Sequence, residues 1–229
     1  MLNSPNCYNF YMNFDAFIFI GPQGSGKGTQ AKILAQKLGA AYIEMGGLFR
    51  EIAAQDTEFG RYVKSTIEQG KLMTDQDVEN VLKQKLESLD PGKKMIFDGI
   101  PRRMGQADFI IDYLDHHGHD KEHIASIFIT LPREESIRRL SMRRTCEVCG
   151  TPTIWSGDPV QVCEKCGGKL IQRKDDTPEA IDVRLQAYEN DTLPVVDFLE
   201  SRTTFFEIDG RPPIEAVTEE IDKTLRINR

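Results

Sequence analysis

The sequence predicts an α/β fold in which one parallel sheet carries helices on both faces and two inserts interrupt the rhythm. Three observations carry this. Five short apolar or β-branched runs alternate with segments of helical spacing, the pattern of strand–helix–strand crossovers. The first run ends in a glycine-rich turn, Gly21-Pro22-Gln23-Gly24-Ser25-Gly26-Lys27-Gly28-Thr29, that opens a helix. Four of the five cysteines fall in one stretch, as Cys146-x2-Cys149 and Cys163-x2-Cys166.

Taken in order, residues 16–20 form an apolar first strand, and Ala31, Ile33, Leu34 and Leu38 give 28–38 helical spacing. Residues 41–44 are a short second strand. The stretch 45–73 is mostly helical without a strong strand, a first insert. A helix over 75–89 leads to a third strand at 95–97, then a helix at 105–116 and a fourth strand at 126–130. A helix over 133–142 precedes 145–174, which is rich in cysteine and glycine with short β-prone pieces, a second insert. Thr177-Pro178 reads as N-cap plus proline at the first helical position, starting a single helix over 178–200. A fifth strand at 205–208 and a helix at 213–225 close the chain. The implied organisation is an extension at 1–14, core at 15–43, 74–141 and 177–229, one insert at 44–73 and another at 142–176.

Composition bounds the partners. A chain of 229 residues can bury a sizeable core. Its net charge of −7 argues against a general nucleic-acid surface, which needs a basic face. No apolar stretch reaches membrane-spanning length. Residues 1–14 contain Tyr8, Phe10, Tyr11 and Phe14 but no Lys or Arg, a poor signal peptide. They are expected to be a partly disordered extension, with Met12 a candidate start, and the cytoplasm is the default compartment.

The turn at 21–29 sits where backbone N–H groups can cradle phosphates at a helix N-terminus, with Lys27 reaching the outer phosphates. The general pattern has Ser or Thr directly after the lysine; here Gly28 stands there and Thr29 follows. A second signal is Asp98-Gly99-Ile100-Pro101-Arg102, a buried strand ending in an acid that could hold water on Mg²⁺, and a turn that would aim Arg102 at a phosphate. A third is a group of arginines, Arg139, Arg143, Arg144, Arg173 and Arg184 beside Arg50 and Arg102. The guanidinium fork suits phosphate, although some belong to exposed ion pairs, Arg138 and Arg144 foremost.

The two cysteine pairs, separated by residues 150–162, have the spacing of a zinc ribbon, each pair a tight turn presenting two thiolates. Gly150, Gly167 and Gly168 suit those turns. A closed four-sulfur site leaves no place for catalytic water, so the metal is expected to be structural. Reduced free cysteines and an iron–sulfur cluster are the alternatives.

On these motifs, together with Gln106 and Arg173-Lys174-Asp175-Asp176, the chain from about Phe17 onward resembles the adenylate kinase family, in its long form with a zinc-bearing lid. The resemblance implies a P-loop nucleoside triphosphate hydrolase-type core, an acceptor-binding helical insert and a zinc-ribbon lid. It implies reversible phosphoryl transfer from MgATP to AMP, giving two ADP. Donor contacts would come from Gly24, Ser25, Gly26, Lys27, Gly28, Thr29, Arg143 and the backbone near Pro212. Acceptor contacts would come from Met45, Arg50, Lys71, Leu72, Met73, Gly99, Ile100, Pro101, Arg102, Gln106, Arg173 and Arg184. Lys27, Arg102, Arg139, Arg143, Arg173 and Arg184 would surround the migrating phosphoryl. Asp98 would position hydrated Mg²⁺, and Asp175 and Asp176 would partner the arginines or the lid hinge. The expected cofactors are Mg²⁺ with ATP and structural Zn²⁺, in a monomer without obligate protein, nucleic-acid or membrane partners.

Departures from the family pattern fall mostly on the acceptor side. Met45 stands where a Thr or Ser is usual, Gly47 where Asp is common and Ile100 where Phe is usual. In the second insert, Pro152, Thr153 and Ile154 stand where an aromatic is common. A kinase for another nucleoside monophosphate is therefore the alternative. From a different class comes a nucleotide-switched zinc-ribbon nucleic-acid binder, opposed by Glu147, Asp158 and Glu164 against only Lys165 and Lys169.

Overall fold

The computed structural model describes residues 13–155, 157 and 162–227. Cys7, the aromatics at 8, 10 and 11, Met12 and Asp158 lie outside the described residues. Five parallel strands form the central sheet: β1 (Ala16–Ile20), β2 (Ala41–Glu44), β3 (Met95–Asp98), β4 (Ile124–Thr130) and β8 (Thr204–Asp209), in the order β2-β3-β1-β4-β8. All of β1 is buried, because a parallel strand covered on both faces meets no water. Its alternate residues serve two cores. Ala16, Ile18 and Ile20 pack with α4 (Asp75–Glu87), α5 (Met104–His116) and α8 (Leu193–Arg202). Phe17 and Phe19 pack on the other face with α1 (Lys27–Leu38) and α9 (Ile214–Thr224).

The chain leaves β1 for the edge strand β2 and returns to either side of β1 with β3 and β4. The sheet therefore reverses direction at β1, and the crevice at its carboxyl end is where open α/β sheets take ligands. Between β2 and α4 lie α2 (Met45–Ala53) and α3 (Glu58–Glu68). Thr57 caps α3 by accepting from the Gly60 N–H at 2.9 Å, and a Cβ at Gly60 would come within 2.4 Å of the Gln55 carbonyl. After α6 (Arg133–Met142) the chain makes a small antiparallel sheet of β5 (Arg143–Cys146), β6 (Pro152–Ile154) and β7 (Leu170–Ile171), ordered β6-β5-β7. Among the described residues, no helix is long and apolar enough to cross a membrane.

Two sequence expectations change. Phe14 is not part of an extension: it is buried edge-on against Phe17 and Phe206, and Lys94 ties its carbonyl to the sheet. The predicted helix over 178–200 is two helices, α7 (Pro178–Ala187) and α8, joined by a π-turn at Tyr188–Thr192. Pro194 is the cause. It has no N–H to donate, and its ring would strike the carbonyl of Asn190 in a regular helix. The turn widens instead, Leu193 N–H bonding the Tyr188 carbonyl five residues back. Thr192, at the end of the wide turn, donates through Oγ1 to the Arg102 carbonyl at 3.0 Å.

Candidate active site

The phosphate loop is shaped by its glycines. A Cβ at Gly21 would lie 2.3 Å from the Ile129 carbonyl oxygen on β4. Gly24 and Gly26 take φ of 88° and 91°, and Gly26 is the N-cap of α1. The loop thus delivers the unpaired N–H groups of the first turn of α1 to the sheet crevice. Lys27 folds back over the loop, donating to the Pro22 carbonyl at 3.1 Å. Burial lowers its pKa to about 7; Asp98 opposes this, and Arg102, Arg184 and Arg143 add to it. A lysine so desolvated gains most from an anion placed beside it.

Gly28, the departure from the general loop pattern, has a steric cause. A Cβ there would stand 2.9 Å from Asp98 Oδ2 at the end of β3. Tyr42, on the neighbouring strand β2, donates to the same oxygen at 2.7 Å. Burial raises the pKa of Asp98, while Lys27 foremost and then the Tyr42 hydroxyl lower it.

On the other side of the crevice, α2, α3, the segment 70–73 and the stretch 171–175 enclose a cavity of about 420 Å³. Apolar lining comes from Met45, Phe49, Ala53, Ile67, Leu72, Met73 and Val78; Arg50, Lys64, Lys71, Arg102, Arg173, Lys174 and Arg184 supply cations, Glu68 and Asp175 carboxylates, and Gln106 and Gln172 carboxamides. This is the composition of a small-molecule site. Gln106 is buried, its Oε1 accepting from the Arg102 N–H and its Nε2 donating to Asp75, both at 2.8 Å. A carboxamide has two N–H groups and two lone pairs, so one of each remains for a ligand.

The arginines are held by carboxylates. Arg143 grips Asp176 with two bonds of 2.7 and 2.5 Å, and Arg184 reaches Asp176 at 3.0 Å and the Asp175 carbonyl at 2.9 Å. Arg173 pairs with Asp175 at 2.9 Å, and Arg102 donates to the Gly99 carbonyl at 2.8 Å. Burial lowers the pKa of Arg184 to about 10, with Asp175 opposing. Arg102 and Arg184 line this cavity while also bearing on Lys27 from across the crevice.

A family model described as adenylate kinase matches residues 19–204. The chain is 36% identical over 211 residues to an adenylate kinase of Archaeoglobus fulgidus, covering 91% of this chain and 96% of the relative. It is 39% identical over 212 residues to an adenylate kinase of Kosmotoga olearia, covering 91% and 97%. An adenylate kinase of Dehalococcoides mccartyi is 36% identical over 214 residues, covering 93% and 98%. The chain belongs to the adenylate kinase family.

For an adenylate kinase, the placement of the expected residues is instructive. Met45, Arg50, Lys71, Leu72, Met73, Gly99, Arg102, Gln106, Arg173 and Arg184 line one cavity. Ile100 does not: it is 1% exposed and packs into the core, and Pro101 beside it is also buried. The turn after β3 points this side chain under the site. Arg139 also departs from the expectation of a phosphoryl-facing group. Its guanidinium bonds Glu135 at 2.8 Å, the Gly210 and Arg211 carbonyls at 2.9 and 3.0 Å, and the Gly24 carbonyl at 3.4 Å. It clamps the turn before exposed Pro212 onto the phosphate loop. Arg138 donates two hydrogen bonds to the Glu135 carboxylate and Arg144 lies over the Trp155 ring, as befits structural arginines.

Four cysteine thiols meet in the small sheet. The Sγ atoms of Cys146, Cys149, Cys163 and Cys166 all lie within 4.8 Å of one another, with Cys146–Cys166 at 3.5 Å and Cys149–Cys163 at 3.6 Å. Zinc–sulfur bonds of about 2.3 Å put tetrahedral sulfurs about 3.8 Å apart, so the four groups fit a metal ion. Gly150 and Gly167 turn with φ of 67° and 73°, and a Cβ at Gly168 would press within 2.8 Å of the Cys146 sulfur.

Tyr42, Glu44, Asp75 and Glu135 were not among the expected site residues. Each holds an expected residue in place: Asp98, Arg50, Gln106 and Arg139 respectively. The spacing of Glu135 and Arg139 by four on α6 is a sequence signal for that pair.

Proposed function

We propose that this adenylate kinase transfers the γ-phosphoryl of MgATP to the phosphate of AMP, with ATP on the phosphate loop and AMP in the 420 Å³ cavity. One observation carries the assignment: Arg102 and Arg184 belong to the wall of that cavity and act electrostatically on Lys27. An anion on either side meets the same cations. Phosphoryl transfer needs such a place, where charge on the migrating group is neutralised between two aligned oxygens.

The acceptor oxygen of a nucleoside monophosphate is anionic at neutral pH, so no general base is needed. Lys27, Arg102, Arg143, Arg173 and Arg184 neutralise charge, and Asp98 positions water on the magnesium that accompanies the nucleotide. Arg139 acts one step away, by fixing the donor-side turn. Gln106 offers its remaining donor and acceptor to the edge of the adenine. Residues 44–73 serve as the acceptor-binding insert and 142–176 as a lid, closing over the nucleotides to exclude water. Bound at the four thiols, zinc supplies the stability that a sheet of three short strands lacks. The proposed enzyme is a monomer working in the cytoplasm.

The test is an acceptor panel. With ATP as donor, AMP should be phosphorylated with kcat/KM at least a hundredfold above GMP, CMP or UMP. Preference for another monophosphate would overturn the assignment of the cavity.

A further inference from the structure

We propose that Glu44 is a positioning residue for the acceptor phosphate, holding the Arg50 guanidinium against the cavity wall. The proposal rests on the acceptor assignment above. Glu44 ends β2 and occupies the N-cap position of α2, where a side chain can accept from the helix N–H groups. It makes no such bond. Its Oε1 accepts instead from Arg50 Nη2, two turns into the helix.

The backbone is built to let this pair form. It runs across two consecutive glycines: a Cβ at Gly46 would stand 3.1 Å from Arg50 Nη1, and one at Gly47 would stand 3.2 Å from the Glu44 carboxylate. A side chain at either position would crowd one member of the pair, which would have to give by a few tenths of an ångström.

The cavity's other guanidiniums have their own anchors. Arg173 and Arg184 pair with Asp175 and Asp176, and Arg102 bonds the Gly99 carbonyl and lies near Asp98. Among the described residues, Glu44 is the carboxylate in ion-pair contact with Arg50. Arg50 needs one: Arg173 repels it, Asp175 attracts it more weakly than Glu44 does, and its side chain is 42% exposed. Without Glu44 the long side chain is free to swing into solvent. With Glu44 it is held at one edge, and its remaining N–H groups stay available for a phosphate.

The test separates charge from shape. Glu44→Gln keeps the outline and removes the charge. It should raise KM for AMP about five- to tenfold, below the range for a buried hydrogen bond to a charged group because the pair is half exposed. KM for ATP and kcat should stay within twofold, and calorimetry with AMP alone should show the same loss of affinity. Glu44→Gln combined with Gly47→Asp returns a carboxylate to the same space from the next turn, and should recover most of the loss. Glu44→Asp, which keeps the charge, should recover part and serves if the double variant melts early. An unchanged or lowered KM for AMP in Glu44→Gln overturns the proposal. So does failure of both charge-restoring variants to recover. If the unmodified protein does not phosphorylate AMP, the acceptor assignment itself has failed, and the proposal falls with it.

Discussion

Tyr42 and Asp98 are joined by a 2.7 Å hydrogen bond that links two neighbouring strands at the mouth of the phosphate loop. The carboxylate oxygen that accepts it also fills the space beside Gly28, 2.9 Å from a Cβ placed there. Gly28→Ala should therefore separate stability from catalysis. Alanine gains about 1 kcal/mol of helix propensity over glycine, but here it must push Asp98 aside. We expect a melting temperature within a few degrees of the parent and a kcat reduced at least tenfold. A kcat within twofold of the parent would show that the contact does not matter.

Lys27 makes donor binding pH-dependent. Burial holds its pKa at about 7, against Asp98 and with the help of Arg102, Arg184 and Arg143. Phosphate oxygens beside it restore the charged form, so MgATP binding takes up a proton above pH 7 and affinity falls as pH rises. In the free protein the unfolded chain keeps this proton up to the ordinary lysine range. This group's contribution to stability accordingly rises from pH 7 toward 10.5. Calorimetry at pH 8 in two buffers of different ionisation enthalpy should show uptake approaching one proton. Lys27→Met should abolish it.

Asp176 is the anchor whose loss should cost most stability. It is 1% exposed and accepts from both Arg143 and Arg184. Asp176→Asn preserves the shape but leaves two largely buried guanidiniums short of a countercharge. Breaking a buried pair this way costs about 3 kcal/mol or more. Denaturant unfolding should show that loss, and kcat should fall with it, because both arginines lose their orientation.

What the sequence made legible was local. The strands stand out because burial on both faces turns them into continuous apolar runs, β1 most clearly. The phosphate loop and the cysteine pairs are legible because their chemistry fixes residue type over a few positions. The supporting residues are not, since their partners arrive through the sheet order. Tyr42 meets Asp98 across 56 residues because β2 pairs with β3, and Asp75 meets Gln106 across 31. Glu44 was hidden for another reason: at the end of a strand it looks like one more exposed acid. For Ile100 and Arg139, motif position gives proximity to the site but not the direction of the side chain. The π-turn escaped because helical spacing resumes after Pro194, although the proline itself marked the break.

Metal removal should loosen the cysteine-bearing sheet while leaving the central sheet folded. Cys146, Cys163 and Leu170, with Cys149 packed against them, form a separate small cluster, too little apolar surface to hold β5, β6 and β7 unaided. The single tryptophan reports on it: the backbone N–H of Trp155 donates to the Met142 carbonyl at 2.8 Å, and Arg144 lies 5.2 Å from its ring. The purified protein should contain about one zinc per chain by elemental analysis. Chelation, or Cys149→Ser, should remove it, shift the tryptophan emission and lower the melting temperature by several degrees. Circular dichroism of the remaining helices should persist up to that temperature.

The lid's part in excluding water can be tested by cutting it away. Thr145 pairs with Ile171 across β5 and β7, so replacing residues 145–172 by a short Gly-Ser linker joins ends that already lie about one strand spacing apart. Arg143, Arg173, Asp175 and Asp176 all survive the cut, and so do the phosphate loop and the acceptor cavity's α2 and α3 walls. The cations that neutralise the migrating phosphoryl remain, but the cover does not. Water can then compete with the acceptor oxygen for a phosphoryl group that is still activated. Phosphate release relative to ADP formation should rise at least tenfold, while AMP binding measured by calorimetry changes little. A loss of transfer with no gain in hydrolysis would assign the lid to alignment alone. An unchanged ratio would remove water exclusion from its role altogether.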